Sequence, residues 1–236
     1  MVRIIGTGLY APGEPIDNAE LASLAGIEFD AERLENKLGI RQRHIAHLRG
    51  LDETTADFAE QAARAAIADA GVDPQDIGLF VVATDTPEYI SPATSMLLQG
   101  RIQGGQRFTG AYDLGASCSS FVAALDTVAR YVGTEPAMRY ACVVGVYNMP
   151  AYVRPGDAFG YSIFADGAAA VVLESTAVNG EATMGPEMAG TDLADSRYLG
   201  GQLLADGTQW DYVGVYAGGT RKPVTGALLE SGQDGL

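Results

Sequence analysis

The chain has few cysteines, few histidines and a shortage of basic residues, and each shortage excludes a class of protein. Its 236 residues include two cysteines and two histidines, and 30 acidic residues outnumber 15 basic ones. The net charge of −15 excludes a nucleic-acid partner, because such a partner requires a basic face. Two cysteines allow at most one disulfide, so we expect reduced thiols and a cytoplasmic location.

Long hydrophobic runs and clusters of metal ligands are also missing. No run approaches the roughly 18 apolar residues that span a bilayer, and the first residues are too short a run for a signal peptide. We therefore expect no membrane association. His44 and His47 lie three residues apart in a polar stretch, without a cysteine or carboxylate cluster beside them, so we expect no metal site.

Apolar segments alternate with helical patterns, which predicts an α/β fold with a mainly parallel sheet. An alanine-rich stripe in the helix predicted over 54–70 indicates close packing against that sheet. Strands are expected at 2–9, 40–46, 78–84, 108–114, 137–146, 163–174 and 181–190. Helices are expected at 18–24, 31–38, 54–70, 92–99 and 119–132, with Asp17 or Asn18 and then Asp30 as the first two N-caps. The last stretch, 199–236, is rich in glycine and has weak periodicity.

The segment 110–126 places Cys118 between an apolar run and a helical pattern, among small residues. This pattern is typical of a nucleophile on a tight strand-to-helix turn, where small neighbours let a substrate approach closely. The positive end of a helix dipole favours the thiolate, and active sites of such sheets form where strands end. Cys118 is therefore a candidate for covalent acyl transfer, with a buried structural cysteine as the alternative. Cys142, in a predicted buried strand, is expected to belong to the core.

Five segments resemble the ketosynthase III enzymes, which condense an acyl-thioester starter with a carrier-bound extender. They are Arg3–Pro12, Leu38–Ala46, Ile77–Thr84, Ala111–Phe121 and Ile163–Leu173. The second is similar to the family's Gly-Ile-Arg-x-Arg-His-Ile-Ala signature, and the fourth contains Cys118 within Gly-Ala-Ser-Cys-Ser-Ser. The order and spacing of these segments agree with the family from the first residue to about residue 174.

The resemblance implies a thiolase-like layered α/β/α fold. A complete thiolase fold pairs two βαβαβαββ halves, and residues 1–175 would supply one half with excursions. Residues 176–236 would then form connecting strands and a loop leading toward the second half. That half carries the family's catalytic histidine and asparagine, so we expect this sequence to be a fragment of a longer enzyme. An isolated half would leave a sheet edge and an apolar layer exposed.

The resemblance also assigns candidate roles to residues. Cys118 would take up the acyl group as a thioester, and its backbone N–H would form part of the oxyanion hole. Arg33 and Lys37 stand where the family binds coenzyme A, Arg33 in place of a tryptophan and Lys37 in place of an arginine. These replacements favour a carrier protein's phosphopantetheine arm over free coenzyme A as the donor. Ser91, flanked by Ile90, stands where the family has a bulky residue that reaches the acyl pocket of the partner subunit, and its smaller side chain would leave a longer or wider pocket.

Other residues have two interpretations each. Asp166 followed by Gly167 is either an acid near Cys118 or, as we favour, a turn or bulge whose carboxylate binds backbone groups. Arg41, Arg43 and His44 form either an anion-binding patch or the charged side of an exposed strand with carboxylate partners.

The most direct interpretation of the sequence is an acyltransferase of the ketosynthase III type. It would act in fatty-acid or polyketide-like biosynthesis by decarboxylative condensation with a malonyl-type extender or by simple acyl transfer. Its partners would be acyl-coenzyme A or an acyl carrier protein, with no tightly bound cofactor, in a homodimer or heterodimer. The alternatives are a non-catalytic or half-active subunit that completes a partner ketosynthase, and a relative of hydroxymethylglutaryl-coenzyme A synthase, which the residues near Cys118 suit less well.

Overall fold

The structure, a computed structural model, describes residues 1–178, 181–182 and 196–231. It divides into two compact units. The first unit consists of Met1–Ala11, Glu53–Tyr147 and Gly167–Leu203. The second unit consists of Pro12–Asp52, Asn148–Asp166 and Leu204–Leu236. Each unit combines three separated segments, whereas the division into 1–175 and 176–236 follows the chain and remains a prediction.

Nine strands and seven α-helices lie within the described residues. In chain order the elements are β1 (Val2–Tyr10), β2 (Ile16–Asp17), α1 (Asn18–Ala25), α2 (Ala31–Leu38), β3 (Gln42–Arg43), α3 (Thr55–Ala70), β4 (Ile77–Ala83), α4 (Thr94–Gln103), β5 (Gly110–Leu114), α5 (Ser120–Thr134), β6 (Tyr140–Asn148), α6 (Ala158–Ile163), β7 (Asp166–Ser175), β8 (Ala177–Val178), β9 (Glu181–Ala182) and α7 (Gly226–Glu230). Short 3₁₀ turns occupy His47–Arg49, Pro74–Asp76, Ser117–Ser119, Met149–Tyr152 and Gly207–Gln209.

The first unit is built on a five-stranded sheet with the strand order β1-β7-β6-β4-β5. β4 pairs in parallel with both β5 and β6, while β1 pairs antiparallel with β7. The sheet is therefore mixed, with a parallel centre. Apart from the elements of the second unit, the chain order is β1, α3, β4, α4, β5, α5, β6 and β7, which is the βαβαβαββ order that the family resemblance implies.

β1 and α3 approach each other unusually closely, and this explains the alanine stripe of the helix. A Cβ atom on Gly8 would lie 2.2 Å from the carbonyl oxygen of Ala62, and one on Gly6 would lie 2.4 Å from that of Ala66. Only residues without a Cβ atom allow such an approach. The predicted close packing of this helix against the sheet is confirmed.

α5 packs against the other face of the sheet. Alternate residues of β4 and β6 point toward it and form one apolar cluster with the helix. The cluster's buried members are Val2, Leu79, Val81, Ala83, Ala124, Val128, Ala129, Val132, Ala141, Val143 and Leu173. Phe80 and Val82, which alternate with the β4 members of this cluster, are fully buried as well, so β4 is covered on both faces as its apolar sequence predicts.

The second unit contains the antiparallel pair of short strands β2 and β3 and the helices α1, α2, α6 and α7. The side chains of Asp17 and Asp30 cap α1 and α2 by accepting backbone N–H groups at 2.8 Å, which confirms the predicted helix starts. The core of this unit consists of Ile16, Leu21, Ile27, Ile45, Val153 and Tyr161.

The strand predicted over 40–46 is mostly absent, and the strand predicted over 181–190 lies largely outside the described residues. The strand expected over 40–46 is reduced to Gln42–Arg43, and Arg43 is buried rather than exposed. Its guanidinium donates hydrogen bonds to the carbonyl oxygens of Ile16 and Ser162, and burial lowers the pKa of Arg43. Arg41 does have a carboxylate partner, Glu35, at 2.9 Å. Of the strand expected over 181–190, residues 183–190 lie outside the described residues.

Asp166 makes the backbone contacts that we favoured. Its carboxylate accepts the N–H of Ala46 at 2.7 Å, and its own N–H donates to the carbonyl oxygen of His44 at 2.8 Å. Asp166 is the first residue of β7, so these two hydrogen bonds hold the start of that strand against the signature segment.

Candidate active site

Cys118 lies on a turn between β5 and α5. The turn is a single 3₁₀ turn, Ser117–Ser119, so α5 begins only at Ser120, one residue later than predicted. Ser117 has a φ of +49°, in the left-handed region that residues with a side chain rarely adopt. A non-glycine residue adopts this left-handed conformation only where the surrounding structure imposes it. Such residues are common at functional sites.

Ser120 fixes the shape of this turn. The N–H of Ala116 donates to the Ser120 hydroxyl oxygen at 2.8 Å, and that hydroxyl donates to the carbonyl oxygen of Ser117 at 2.7 Å. The Ser120 side chain is buried, and both hydrogen bonds are partly buried. Sequence reasoning recognised the small size of Ser120 but missed this bracing role.

The two cysteines have opposite environments. Cys118 is exposed, and Cys142 is fully buried in β6. Burial raises the pKa of the Cys142 thiol to about 12, so this thiol stays protonated and inert at neutral pH. The prediction that Cys142 belongs to the core is confirmed.

Ile90 and Ser91 lie on the exposed connection between β4 and α4. Ile90 is 87% exposed, and Ser91 is exposed as well, and their role at an acyl pocket stays a prediction. The connection is anchored by Glu88, whose carboxylate accepts the Thr54 hydroxyl at 2.9 Å and the Ala56 N–H at 2.8 Å.

Arg33 and Lys37 lie one turn apart on α2, in the second unit. Both side chains are exposed, and they line a shallow surface depression together with Asp30, Glu32 and Asn36. Within the described residues neither side chain forms an ion pair, so both cations face solvent. The spacing of four residues places them on one face of the helix, where they can bind one anionic group together.

The two histidines are held by protein groups. His44 Nδ1 lies 3.1 Å from the Pro12 carbonyl oxygen and 3.0 Å from that of Gly13. His47 Nε2 lies 3.2 Å from the Tyr161 hydroxyl, and burial lowers the pKa of His47. Among the described residues there is no group of three potential metal ligands. The same residues contain no helix long and apolar enough to cross a membrane.

Sequence reasoning also missed two titratable residues beside the end of β5. Asp85 follows β4, and Tyr147 lies near the end of β6; β4 pairs with both β5 and β6. Only the strand register brings these positions to the same edge as Cys118, and no local pattern in the sequence indicates it.

Comparison with known proteins identifies related sequences and folds. A family model described as 3-oxoacyl-(acyl-carrier-protein (ACP)) synthase III matches residues 112–192. Beta-ketoacyl-(acyl-carrier-protein) synthase III of Xanthomonas campestris pv. campestris (strain 8004) is 36% identical over 237 residues, which cover 98% of this chain and 65% of that protein. The enzyme of the same name from Mesorhizobium japonicum is 36% identical over 236 residues, which cover 99% of this chain and 67% of that protein.

The fold has matches among solved structures. The priming beta-ketosynthase from the R1128 polyketide biosynthetic pathway superimposes with a TM-score of 0.66 and 31% sequence identity, over 74% of this chain and 50% of that chain. The chain spans about two thirds of the length of the Xanthomonas and Mesorhizobium relatives.

Proposed function

The chain belongs to the 3-oxoacyl-(acyl-carrier-protein) synthase III family, and from that membership we propose that it is the part of a condensing acyltransferase that carries the acyl group. Its first unit has the layered α/β/α arrangement of the thiolase fold, with helices on both faces of the sheet. The observation that carries the proposal is the exposed Cys118 on a braced turn at the carboxyl end of β5.

In the proposed first step, the Cys118 thiolate attacks the carbonyl carbon of an acyl thioester. The C–S bond to the donor breaks, the donor leaves as a thiolate that takes up the proton lost earlier by the Cys118 thiol, and the acyl group remains on Cys118. The backbone N–H of Cys118, in the first turn ahead of α5, would donate to the oxyanion that forms during this exchange. The exposure of Cys118 and the left-handed φ of Ser117 support this role.

The proposed donor is acyl-coenzyme A or an acyl carrier protein. Arg33 and Lys37 would bind its phosphate groups, Arg33 through a planar guanidinium and Lys37 as a point charge. Their solvent-facing position on α2 suits the phosphopantetheine arm of a carrier protein as well as free coenzyme A. Ile90 and Ser91 would contact the acyl chain. No tightly bound cofactor takes part in the proposed reaction.

For the whole protein we propose a second step, condensation with a malonyl-type extender on a carrier protein, in fatty-acid or polyketide-like biosynthesis. The names of the relatives support this step. The extender would lose CO₂, its carbanion would attack the Cys118 thioester carbonyl, and the thiolate would leave. About one third of the length of the curated relatives lies outside the matched span, and the resemblance assigns the decarboxylating histidine and asparagine to the family's second half.

We also propose a cytoplasmic dimer. β5 stands last in the strand order of the sheet, so within the described residues its outer edge has no strand beside it. Phe108, just ahead of β5, is fully exposed, and Tyr112 within it is 37% exposed. An uncovered strand edge with exposed aromatic side chains favours association. Light scattering of the purified chain tests the assembly, and a monomer at micromolar concentration contradicts it.

Intact-mass spectrometry tests the acyl-carrier role. Incubation with a short-chain acyl-coenzyme A is expected to add one acyl group to the chain and to the Cys142→Ala variant. Cys118→Ala is expected to remain unmodified. Acylation of Cys118→Ala to the same extent as the unaltered chain, or no acylation of a folded unaltered chain, contradicts the proposal.

A further inference from the structure

The Cys118 backbone N–H belongs to the peptide group that also contains the Ser117 carbonyl. A peptide group is planar and trans, so its N–H and its C=O point in opposite directions. Any contact that fixes the direction of the Ser117 carbonyl therefore fixes the direction of the Cys118 N–H as well.

Ser120 holds that carbonyl through two hydrogen bonds. Its hydroxyl donates to the Ser117 carbonyl oxygen at 2.7 Å, and its backbone N–H donates to the same oxygen. Ser120 is only 4% exposed, so the Ser117 carbonyl points toward the buried side of the turn. The Cys118 N–H then points to the opposite side of the turn, and Cys118 itself is exposed. This N–H is thus directed outward, to the side from which an acyl donor can approach.

The contacts of the turn lie on both sides of Ser117. Ahead of it, the N–H of Ala116 donates to the Ser120 hydroxyl oxygen at 2.8 Å, and the Ala116 carbonyl oxygen accepts the N–H of Ser119 at 3.0 Å. Ser117 itself has the left-handed φ of +49°, which is unfavourable for a residue with a side chain. Loss of the Ser120 hydroxyl allows Ser117 to relax, and rotation about its backbone bonds then turns the Cys118 N–H.

The Cys118 N–H is available to an incoming oxygen atom. In the part of the chain that the structure describes, it donates to no acceptor. This is the ordinary state of an N–H group in the first turn of a helix, where no preceding carbonyl lies in reach.

We propose that Ser120 is a positioning residue of the Cys118 site, whose hydroxyl directs the Cys118 N–H toward the oxyanion that forms when an acyl carbonyl is attacked. The inference rests on the proposed function, which assigns this N–H to the oxyanion hole. Ser120 acts through the direction of that donor and does not contact the reacting atoms. Removal of its hydroxyl therefore slows reactions of Cys118 that form an oxyanion and spares those that form none.

Two reagents separate these kinds of reaction. With p-nitrophenyl acetate, the Cys118 thiolate attacks the carbonyl carbon, an oxyanion forms, the bond to the phenolic oxygen breaks, and p-nitrophenolate leaves. With iodoacetamide, the thiolate displaces iodide from a methylene carbon, and no oxyanion forms. Because both reactions consume the same thiolate, the ratio of their rate constants does not depend on the fraction of thiol that is ionised.

The ratio of acetylation to alkylation at Cys118, measured by peptide mass spectrometry, tests the inference. Ser120→Ala is expected to lower it by about tenfold, because the N–H no longer faces the oxyanion. Ser120→Thr retains the hydroxyl and is expected to keep the ratio of the unaltered chain.

Ser162 provides a matched control. It is a buried serine whose hydroxyl donates to the carbonyl oxygen three residues earlier, that of Phe159, at 3.0 Å. Ser162→Ala thus removes the same kind of hydrogen bond in the second unit and is expected to leave the ratio unchanged.

Three results overturn the inference: an unchanged ratio in Ser120→Ala, an equal fall in Ser162→Ala, or an equal fall in Ser120→Thr. Slowing of both reactions to the same extent in Ser120→Ala leaves the ratio unchanged and shows only a general structural role. If Ser120→Ala fails to fold, Ser120→Gly, which lacks the same hydroxyl, decides the question by the same ratio.

Neither reagent is the proposed donor, so the experiment separates this inference from the proposed function. A lowered ratio in a chain that acyl-coenzyme A never acylates contradicts the proposed function alone. Acylation of Cys118 by acyl-coenzyme A, together with an unmoved ratio in Ser120→Ala, overturns the inference alone.

Discussion

The Asp113 carboxylate of β5 accepts the backbone N–H of Thr94, the first residue of α4, at 2.7 Å. It also accepts the N–H of Ser95 at 2.8 Å. The residue at the N-cap position of α4 is Ala93, whose side chain has no acceptor, so the neighbouring strand supplies the cap instead. This contact ties the strand that leads to Cys118 to the helix that follows the Ile90 connection.

Removal of this shared cap is expected to destabilise the first unit. Asp113→Ala leaves two N–H groups of α4 without an acceptor and removes a negative charge from the positive end of the helix. We expect it to lower the free energy of unfolding by about 2–3 kcal/mol, measured by urea denaturation. Asp73, which caps only the 3₁₀ turn at Pro74–Asp76, provides the control. If Asp113→Ala lowers the free energy of unfolding no more than Asp73→Ala does, the Asp113 cap contributes no more to stability than the cap of a short 3₁₀ turn.

The contrast between the two thiols predicts selective modification. Under native conditions at neutral pH, iodoacetamide is expected to label the exposed Cys118 and leave Cys142 unlabelled, because burial raises the pKa of Cys142 to about 12. In urea both thiols are expected to react. Peptide mass spectrometry distinguishes the two sites, and native labelling of Cys142 at the rate of Cys118 would contradict the buried position of β6.

What the sequence revealed of the fold depended on how local each signal was. The caps Asp17 and Asp30 bind N–H groups three residues away, so a short window contains all the information. The burial of Arg43 depends on the carbonyl oxygen of Ser162, 119 residues distant, and no alternation pattern contains it. For the candidate site the same distinction holds, since the small residues around Cys118 are adjacent in sequence. Tyr147 comes to the same edge of the sheet as Cys118 only through the pairing of separate strands.

The approach of β1 to α3 predicts a severe effect of a small change. A Cβ atom on Gly8 would lie 2.2 Å from the Ala62 carbonyl oxygen, so Gly8→Ala forces the helix away from the sheet. We expect a loss of about 3 kcal/mol in the free energy of unfolding. Gly100, within α4, has open space at its Cβ position, and Gly100→Ala is expected to stabilise by about 0.5–1 kcal/mol. Thermal unfolding compares the two, and a tolerated Gly8→Ala would contradict the close contact.

If α2 binds the acyl donor, removal of its two exposed cations is expected to weaken donor binding without slowing the acylation of Cys118. Replacing Arg33 and Lys37 by alanine removes two solvent-facing cations from one face of the helix. The concentration of acyl-coenzyme A that half-saturates acyl-enzyme formation is expected to rise about tenfold, with little change in the maximal rate. Arg41→Ala removes a nearby exposed cation that is paired with Glu35, and it is expected to have little effect. Equal half-saturation in the double variant and the unaltered chain would exclude the assignment.

Asp166 predicts an unusual dependence of stability on pH. The residue is buried, and burial raises its pKa to about 6 although the Ala46 N–H, which donates to one carboxylate oxygen, opposes the rise. Within the described residues, the other oxygen, Oδ1, is buried without a hydrogen-bond partner. The folded state therefore holds this proton to higher pH than the unfolded chain, in which an aspartate has a pKa near 3.9.

Because the folded state binds more protons between about pH 4 and pH 6, the contribution of Asp166 is greatest below about pH 4 and is lost as the pH rises through 6. Relative to Asp166→Asn, the unaltered chain is expected to lose at most about 3 kcal/mol across this window, measured by urea denaturation at each pH. Asp206 provides a control of opposite sign, since its hydrogen bonds with Thr208 lower its pKa. Its contribution is present at neutral pH and is lost on acidification. Parallel pH profiles for Asp166→Asn and the unaltered chain would contradict the raised pKa of Asp166.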